Sequence, residues 1–122
     1  MSRRMVCLLG VALFALGAGT GVLVAGRGGD GPRARVVLDN SRVTVTEVTL
    51  APGGRREPHT RASDQIIVFL DEASYDATDA AGKKEARRRA PGDVVWHSRG
   101  EAAPLLVNTG PRPYRNLVVA IK

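Results

Sequence analysis

The chain has 122 residues, 43% hydrophobic and 25% charged, which suits one globular domain and excludes disorder as its default state. The net charge of +6 invites a nucleic-acid reading, but Val36 to Lys122 holds 13 Lys and Arg against 11 Asp and Glu. The excess lies in the N-terminal segment and in "KKEARRR" at 83 to 89, so a basic nucleic-acid-binding face is not expected. Aromatic residues are few, and a domain core must come mainly from Val, Leu, Ile and Ala.

Arg3 and Arg4 precede an uncharged stretch from Met5 to Ala25, 21 residues that would span about 30 Å as a helix, the thickness of a membrane core. Residues 1–26 therefore read as a signal peptide or signal anchor. The anchor is favoured, because the apolar stretch outruns a cleaved signal and Leu23-Val24-Ala25 is only a passable cleavage site. Arg27, Arg33 and Arg35 follow the span and compete with Arg3 and Arg4 in setting its orientation. The expectation is a membrane-anchored or secreted protein with its domain outside the cytoplasm, joined to the membrane by an N-terminal apolar helix. Cys7, the single cysteine, lies inside this stretch, so no disulfide is expected in the domain.

Residues 27–35 combine Gly, Pro and charge without apolar periodicity and read as a flexible linker, with the folded domain at 36–122. Beyond it, short apolar runs such as "RVTVTEVTL", "QIIVFL", "DVVWHS", "PLLVNT" and "YRNLVVAI" alternate with Gly, Pro and Asp clusters. That spacing, with no helical stripe between the runs, predicts an all-β sandwich or barrel. Val43 and Val45 fall on one strand face and Val48 and Leu50 on the other, which predicts a β-bulge near Thr46 and Glu47 or a strand crossing between sheets. A hairpin tip is expected at Ala80 to Lys83 and a tight turn at Pro91-Gly92-Asp93.

"LAPGGRREPHTRASDQIIVFLDE" is similar to the first motif of the cupin superfamily, and "APGDVVWHSRGEAAPLLVNTG" to the second, with "PYRNLVVAIK" resembling the last strand of many small cupins. The resemblance implies a double-stranded β-helix, a jelly-roll barrel whose mouth commonly holds a divalent metal on three imidazoles and one carboxylate. Carried over residue by residue, His59 matches the first ligand, Arg61 stands at the second, Gln65 at the carboxylate position, and Ala103 or Pro104 at the last histidine. Arg does not ligate metals, and one donor of four is left. The rearranged alternative pairs His59 with His97, which shares a strand face with Val95, and takes Asp64 or Glu101 as a third donor.

His59, Arg61, Gln65 and His97 are thus the candidate ligand-binding residues, with spacing that puts the first three on one face of an extended chain. Guanidinium beside amide and imidazole suits a small anionic or polyhydroxy ligand. The plain alternative for His59 is a strand-start residue bonded locally. Trp96 and Tyr114 are expected in core or mouth packing, and Asn108 in the turn of "VNTG". In "KKEARRR", Arg87 and Arg89 should face one way and Arg88 the other, so a solvated hairpin arm is preferred over an anionic-surface binder.

The sequence therefore points to an exported or membrane-tethered, non-catalytic binding or scaffolding module. No cofactor is expected, and a homodimer through barrel edge strands is. The alternatives are a metal-dependent dioxygenase or isomerase using His59 and His97, and an anionic-surface binder through residues 83–89.

Overall fold

The apolar runs of the domain become strands because each is short, rich in β-branched residues and closed by a turn former. A computed structural model describes residues 31–122. Residues 1–30, including the apolar stretch, Cys7 and the first four residues of the linker, lie outside the described residues. Among the described residues no helix is long and apolar enough to cross a membrane.

The strands are β1 (Arg33–Asp39), β2 (Val43–Leu50), β3 (Arg55–Arg56), β4 (His59–Thr60), β5 (Gln65–Phe69), β6 (Ala73–Thr78), β7 (Lys84–Arg89), β8 (Val94–His97), β9 (Ala102–Ala103), β10 (Leu105–Asn108) and β11 (Tyr114–Ile121). They form a five-stranded sheet in the order β1-β2-β11-β5-β8 and a four-stranded sheet in the order β3-β10-β6-β7. A short pair, β4 with β9, sits apart from both. Every pairing is antiparallel. Strand pairing starts at Arg33, inside the stretch read as a linker, where Arg33, Ala34 and Arg35 pair with Thr49, Val48 and Glu47.

Leu50, Ile67, Phe69, Ala73, Tyr75 and Tyr114 form the buried core, with Val95, Leu106 and Val118 packed against it. Phe69 and Tyr75 stack with centroids 6.2 Å apart, and Tyr114 lies 5.8 Å from Tyr75 and 6.1 Å from Phe69. Aromatic pairs of this kind add about 0.5–1.5 kcal/mol beyond their buried area, which offsets the scarcity of large side chains. All of these residues and their ladders lie between Arg33 and Ile121, so the barrel carries its own core.

The expected bulge is displaced. β2 pairs with β11 without a break from Leu50 opposite Tyr114 to Val43 opposite Ile121. The register shift falls instead in β1, at Val37, opposite Thr46 and Val45. The change of apolar face along β2 therefore needs no kink in β2: Val48 and Leu50 point into the barrel and Val43 and Val45 out of it, as the inward set Tyr114, Asn116 and Val118 of β11 requires.

The turns follow sequence chemistry. Asn108 is 2% exposed; its Oδ1 accepts from Gly110 N at 2.8 Å and its Nδ2 donates to the carbonyls of Leu50 and Arg112. Asp79 Oδ1 accepts from the N–H groups of Ala81 and Lys83 across the β6–β7 hairpin. Gly92, at φ 91°, turns the chain so that its N–H reaches the Phe69 carbonyl, in a conformation that costs a residue with a Cβ about 1–2 kcal/mol.

Candidate functional site

Between the two sheets lies a cavity of about 270 Å³. Strand alternation decides what lines it. From the five-stranded sheet come Val48, Leu50, Ile67, Phe69, Val95 and Val118, with Gln65, His97 and Asn116 as the polar exceptions. From the four-stranded sheet come Arg56, Arg87 and Arg89 beside Tyr75 and Leu106, and Arg61 enters from the segment after β4. Among the described residues, four arginines and two histidines line the space, and no Asp or Glu does.

All four residues singled out in the sequence meet here. Gln65 pairs with His97 across β5 and β8, so both side chains share the inward face. Arg61 is 5% exposed, and its guanidinium donates to Gln65 Oε1 at 3.3 Å while its Nε has no partner. His59 stands at the exposed mouth, with Nδ1 3.3 Å from the Glu57 carbonyl. His97 Nδ1 lies 3.4 Å from Glu101, so in both rings Nδ1 is the proton-bearing nitrogen and Nε2 is left for the cavity.

Arg56 is the functional residue that the sequence did not reveal. It is half-buried, donates to the Pro104 carbonyl, and keeps an unpartnered Nε. Burial, and then the Arg61 charge, pull its pKa down to about 10. Burial likewise lowers the Arg61 pKa. Both remain cations at neutral pH, and no carboxylate is bridged to either among the described residues, although the Glu101 charge acts on Arg61 from farther off and opposes the effect of its burial. A desolvated cation lacking an ion partner is costly unless something anionic joins it.

The remaining groups fit the same field. Burial and then Tyr75 raise the Tyr114 phenol to about 12, so it stays protonated. Arg89 Nε donates to Tyr75 Oη at 3.1 Å, and its guanidinium carbon sits 5.7 Å over the Phe69 ring. Burial, more than any other cause, depresses both His59 and His97 below the usual imidazole value, and the arginine charges add to it. Arg87 and Arg89 face the cavity while Arg88 faces out toward Glu72, so the 83–89 cluster is divided between two faces, as its alternation predicts.

A divalent ion does not suit this donor set. His59 faces Ala103 across β4 and β9, so the last ligand position of the resembled motif holds a methyl group. Arg61 occupies the second position and takes the Gln65 oxygen for itself. The rearranged set also fails to assemble: Asp64 Oδ1 accepts from Arg99 N at 2.8 Å, Glu101 Oε1 accepts from Ser98 N at 2.8 Å, and among the described residues no three His, Cys, Asp or Glu side chains come together as a metal site. Trp96 departs from its expected place, being 53% exposed on the outer face of its sheet instead of packed in the core or mouth.

Two facing antiparallel sheets with this strand order define a double-stranded β-helix, and solved structures place it more closely. A cupin domain from Bordetella pertussis Tohama I superposes with a TM-score of 0.69 at 22% identity, over 76% of this chain and 95% of that one. The polyketide cyclase RemF from Streptomyces resistomycificus gives 0.61 at 26%, over 74% and 64% of the two chains. A sugar phosphate isomerase of the cupin superfamily from Silicibacter pomeroyi DSS-3 gives 0.59 at 22%, over 79% and 62%. No family model and no curated protein matches the chain. These likenesses show the fold alone: residues 33–122 have the double-stranded β-helix fold of small cupin domains.

Proposed function

We propose that the domain is a receptor for a small organic anion with an apolar body, and that it binds without catalysing a reaction. The observation that carries this reading is a cavity lined, among the described residues, by four arginines and no carboxylate, in which half-buried Arg56 and buried Arg61 each keep an unpartnered Nε. Arg56 and Arg61 would take the carboxylate or phosphate head, since guanidinium matches such groups bidentately. Val48, Ile67, Phe69, Val95 and Val118 would cover the body. His59, Gln65 and His97 would orient the head at the mouth.

Fold likeness assigns no activity, because one fold carries many unrelated sites. No cofactor is needed for this role. The uncharged stretch Met5 to Ala25 supports placing the receptor on a membrane or outside the cytoplasm.

Calorimetric titration with 3-phenylpropionate, acetate, inorganic phosphate and neutral 3-phenylpropanol tests the reading. The expected order is 3-phenylpropionate tightest, acetate and phosphate weaker, and the alcohol without measurable binding. Equal binding of acid and alcohol would contradict an anion receptor, and acetate matching 3-phenylpropionate would remove the apolar body from the proposal.

A further inference from the structure

The charge of the cavity exceeds what one carboxylate neutralises. Among the described residues, Arg87 is the one cavity arginine bridged to a carboxylate, Glu85 at 3.0 Å. Arg89 is held instead by the Tyr75 hydroxyl and the Phe69 ring, neither of which cancels its charge. Arg56 and Arg61 are likewise unbridged, and Glu101, which acts on Arg61, is exposed and already bonded to Ser98 N and His97. Cations withdrawn from water in such excess remain costly until a ligand brings comparable negative charge.

Hydrogen-bond donors reach this space from both sheets and from the mouth. Arg56 comes from β3 and Arg61 from the segment after β4, each with a free Nε. Tyr75 comes from β6 and Tyr114 from β11 of the opposite sheet, with ring centroids 5.8 Å apart. The Tyr75 oxygen accepts from Arg89 Nε at 3.1 Å, so its own O–H is turned elsewhere. Arg56 opposes the effect of burial on the Tyr114 phenol, which makes guanidinium and phenol neighbours in the cavity. A carboxylate is planar and offers two oxygens, whereas a tetrahedral phosphate offers three to donors arriving from several sides.

We infer that the anion taken by this cavity is a phosphate monoester in its doubly ionised form, carrying an apolar organic group. The inference rests on the anion-receptor reading above and narrows its head group. Arg56 and Arg61 match the two negative charges. Tyr75 and Tyr114 donate their hydroxyls to the phosphate oxygens, with Arg89 fixing the direction of the Tyr75 O–H. The organic group lies against Val48, Ile67, Val95 and Val118.

Calorimetric titration of the full chain at about pH 7.5, where a phosphate monoester has lost its second proton, compares 2-phenylethyl phosphate, its methyl ester and 3-phenylpropionate. The methyl ester keeps the apolar body and the tetrahedral head but carries a single charge. The monoester should bind at least ~tenfold more tightly than either of the others, because charge-assisted hydrogen bonds are the strong ones. Tyr75→Phe with Tyr114→Phe should weaken the monoester at least ~tenfold and 3-phenylpropionate less than ~threefold. Both rings belong to the core, so the comparison of ligands on the wild type decides the charge of the head without that variant. A methyl ester as tight as the monoester, with 3-phenylpropionate still preferred over 3-phenylpropanol, would overturn the dianion and leave the anion receptor standing. Equal losses for monoester and carboxylate in the folded double variant would overturn the part given to the phenols. Absence of binding by all three anions would overturn the receptor reading itself.

Discussion

The two sheets look into the same cavity with opposite chemistry. β5, β8 and β11 present valine, isoleucine and phenylalanine to it, whereas β3 and β7 present guanidiniums. The apolar wall is held by ordinary burial, and its side chains supply most of the core of the fold, with Ala73, Tyr75 and Leu106 joining from the other sheet. The cationic wall gains little from folding: among the described residues Arg56 and Arg61 leave water without a bridged carboxylate, and each keeps a donor unused. Residues that stabilise the fold belong on the first wall and residues that await a ligand on the second, so the two should respond to substitution with opposite signs.

The largest effect is expected on the apolar wall. Phe69→Ala removes a ring that stacks on Tyr75 and meets Tyr114, and should cost about 3–5 kcal/mol in urea unfolding. On the cationic wall, the double change Arg56→Met with Arg61→Met should weaken 3-phenylpropionate binding at least ~100-fold, about 2.7 kcal/mol, in calorimetry. Similar losses of stability from both sets of changes would erase the contrast between the walls.

Proton linkage sharpens the comparison next. The folded pKa values of His59 and His97 lie below 6.5, so as pH falls through that value the unfolded chain takes up protons first. The unliganded domain should therefore lose stability between pH 7 and pH 5 through these two groups. A bound anion favours the imidazolium forms, turning each Nε2 from acceptor to donor. Affinity for 3-phenylpropionate should accordingly rise as pH falls toward 6, with proton uptake visible as a buffer-dependent heat.

The smallest effect concerns the polar exception in the apolar wall. Asn116 Oδ1 is buried without a partner and would accept from a ligand hydroxyl. 3-(4-Hydroxyphenyl)propionate should bind about fivefold more tightly than 3-phenylpropionate, a hydrogen bond's worth near 1 kcal/mol, and Asn116→Val should remove that difference.

Much of this was legible in the sequence because turn chemistry is local. The Pro91-Gly92-Asp93 turn, the Asp79 hairpin and the Asn108 turn each depend on residues a few positions apart. Strand alternation then carried the placing of His97 on one face with Val95, opposite Trp96, and the division of Arg87 and Arg89 from Arg88. Arg56 was hidden because β3 has only two residues between a Pro-Gly turn and Pro58, too short for alternation to fix a face. The bulge was misplaced because the apolar defect is visible in β2 while its pairing partner β1 absorbs the extra residue. Trp96 was misjudged because a large apolar side chain is ordinarily a core residue, and the wetness of the outer sheet face is a tertiary property.

The most direct test of the central claim is the melting temperature of Arg61→Met beside the wild type, each with and without 3-phenylpropionate. Relieving a 5%-exposed cation of its burial should stabilise the unliganded domain by about 1 kcal/mol and abolish the ligand-induced rise in melting temperature. A variant that melts lower than the wild type yet still gains stability from the ligand would mean that Arg61 is a structural residue, and that the cationic wall does not bind the anion.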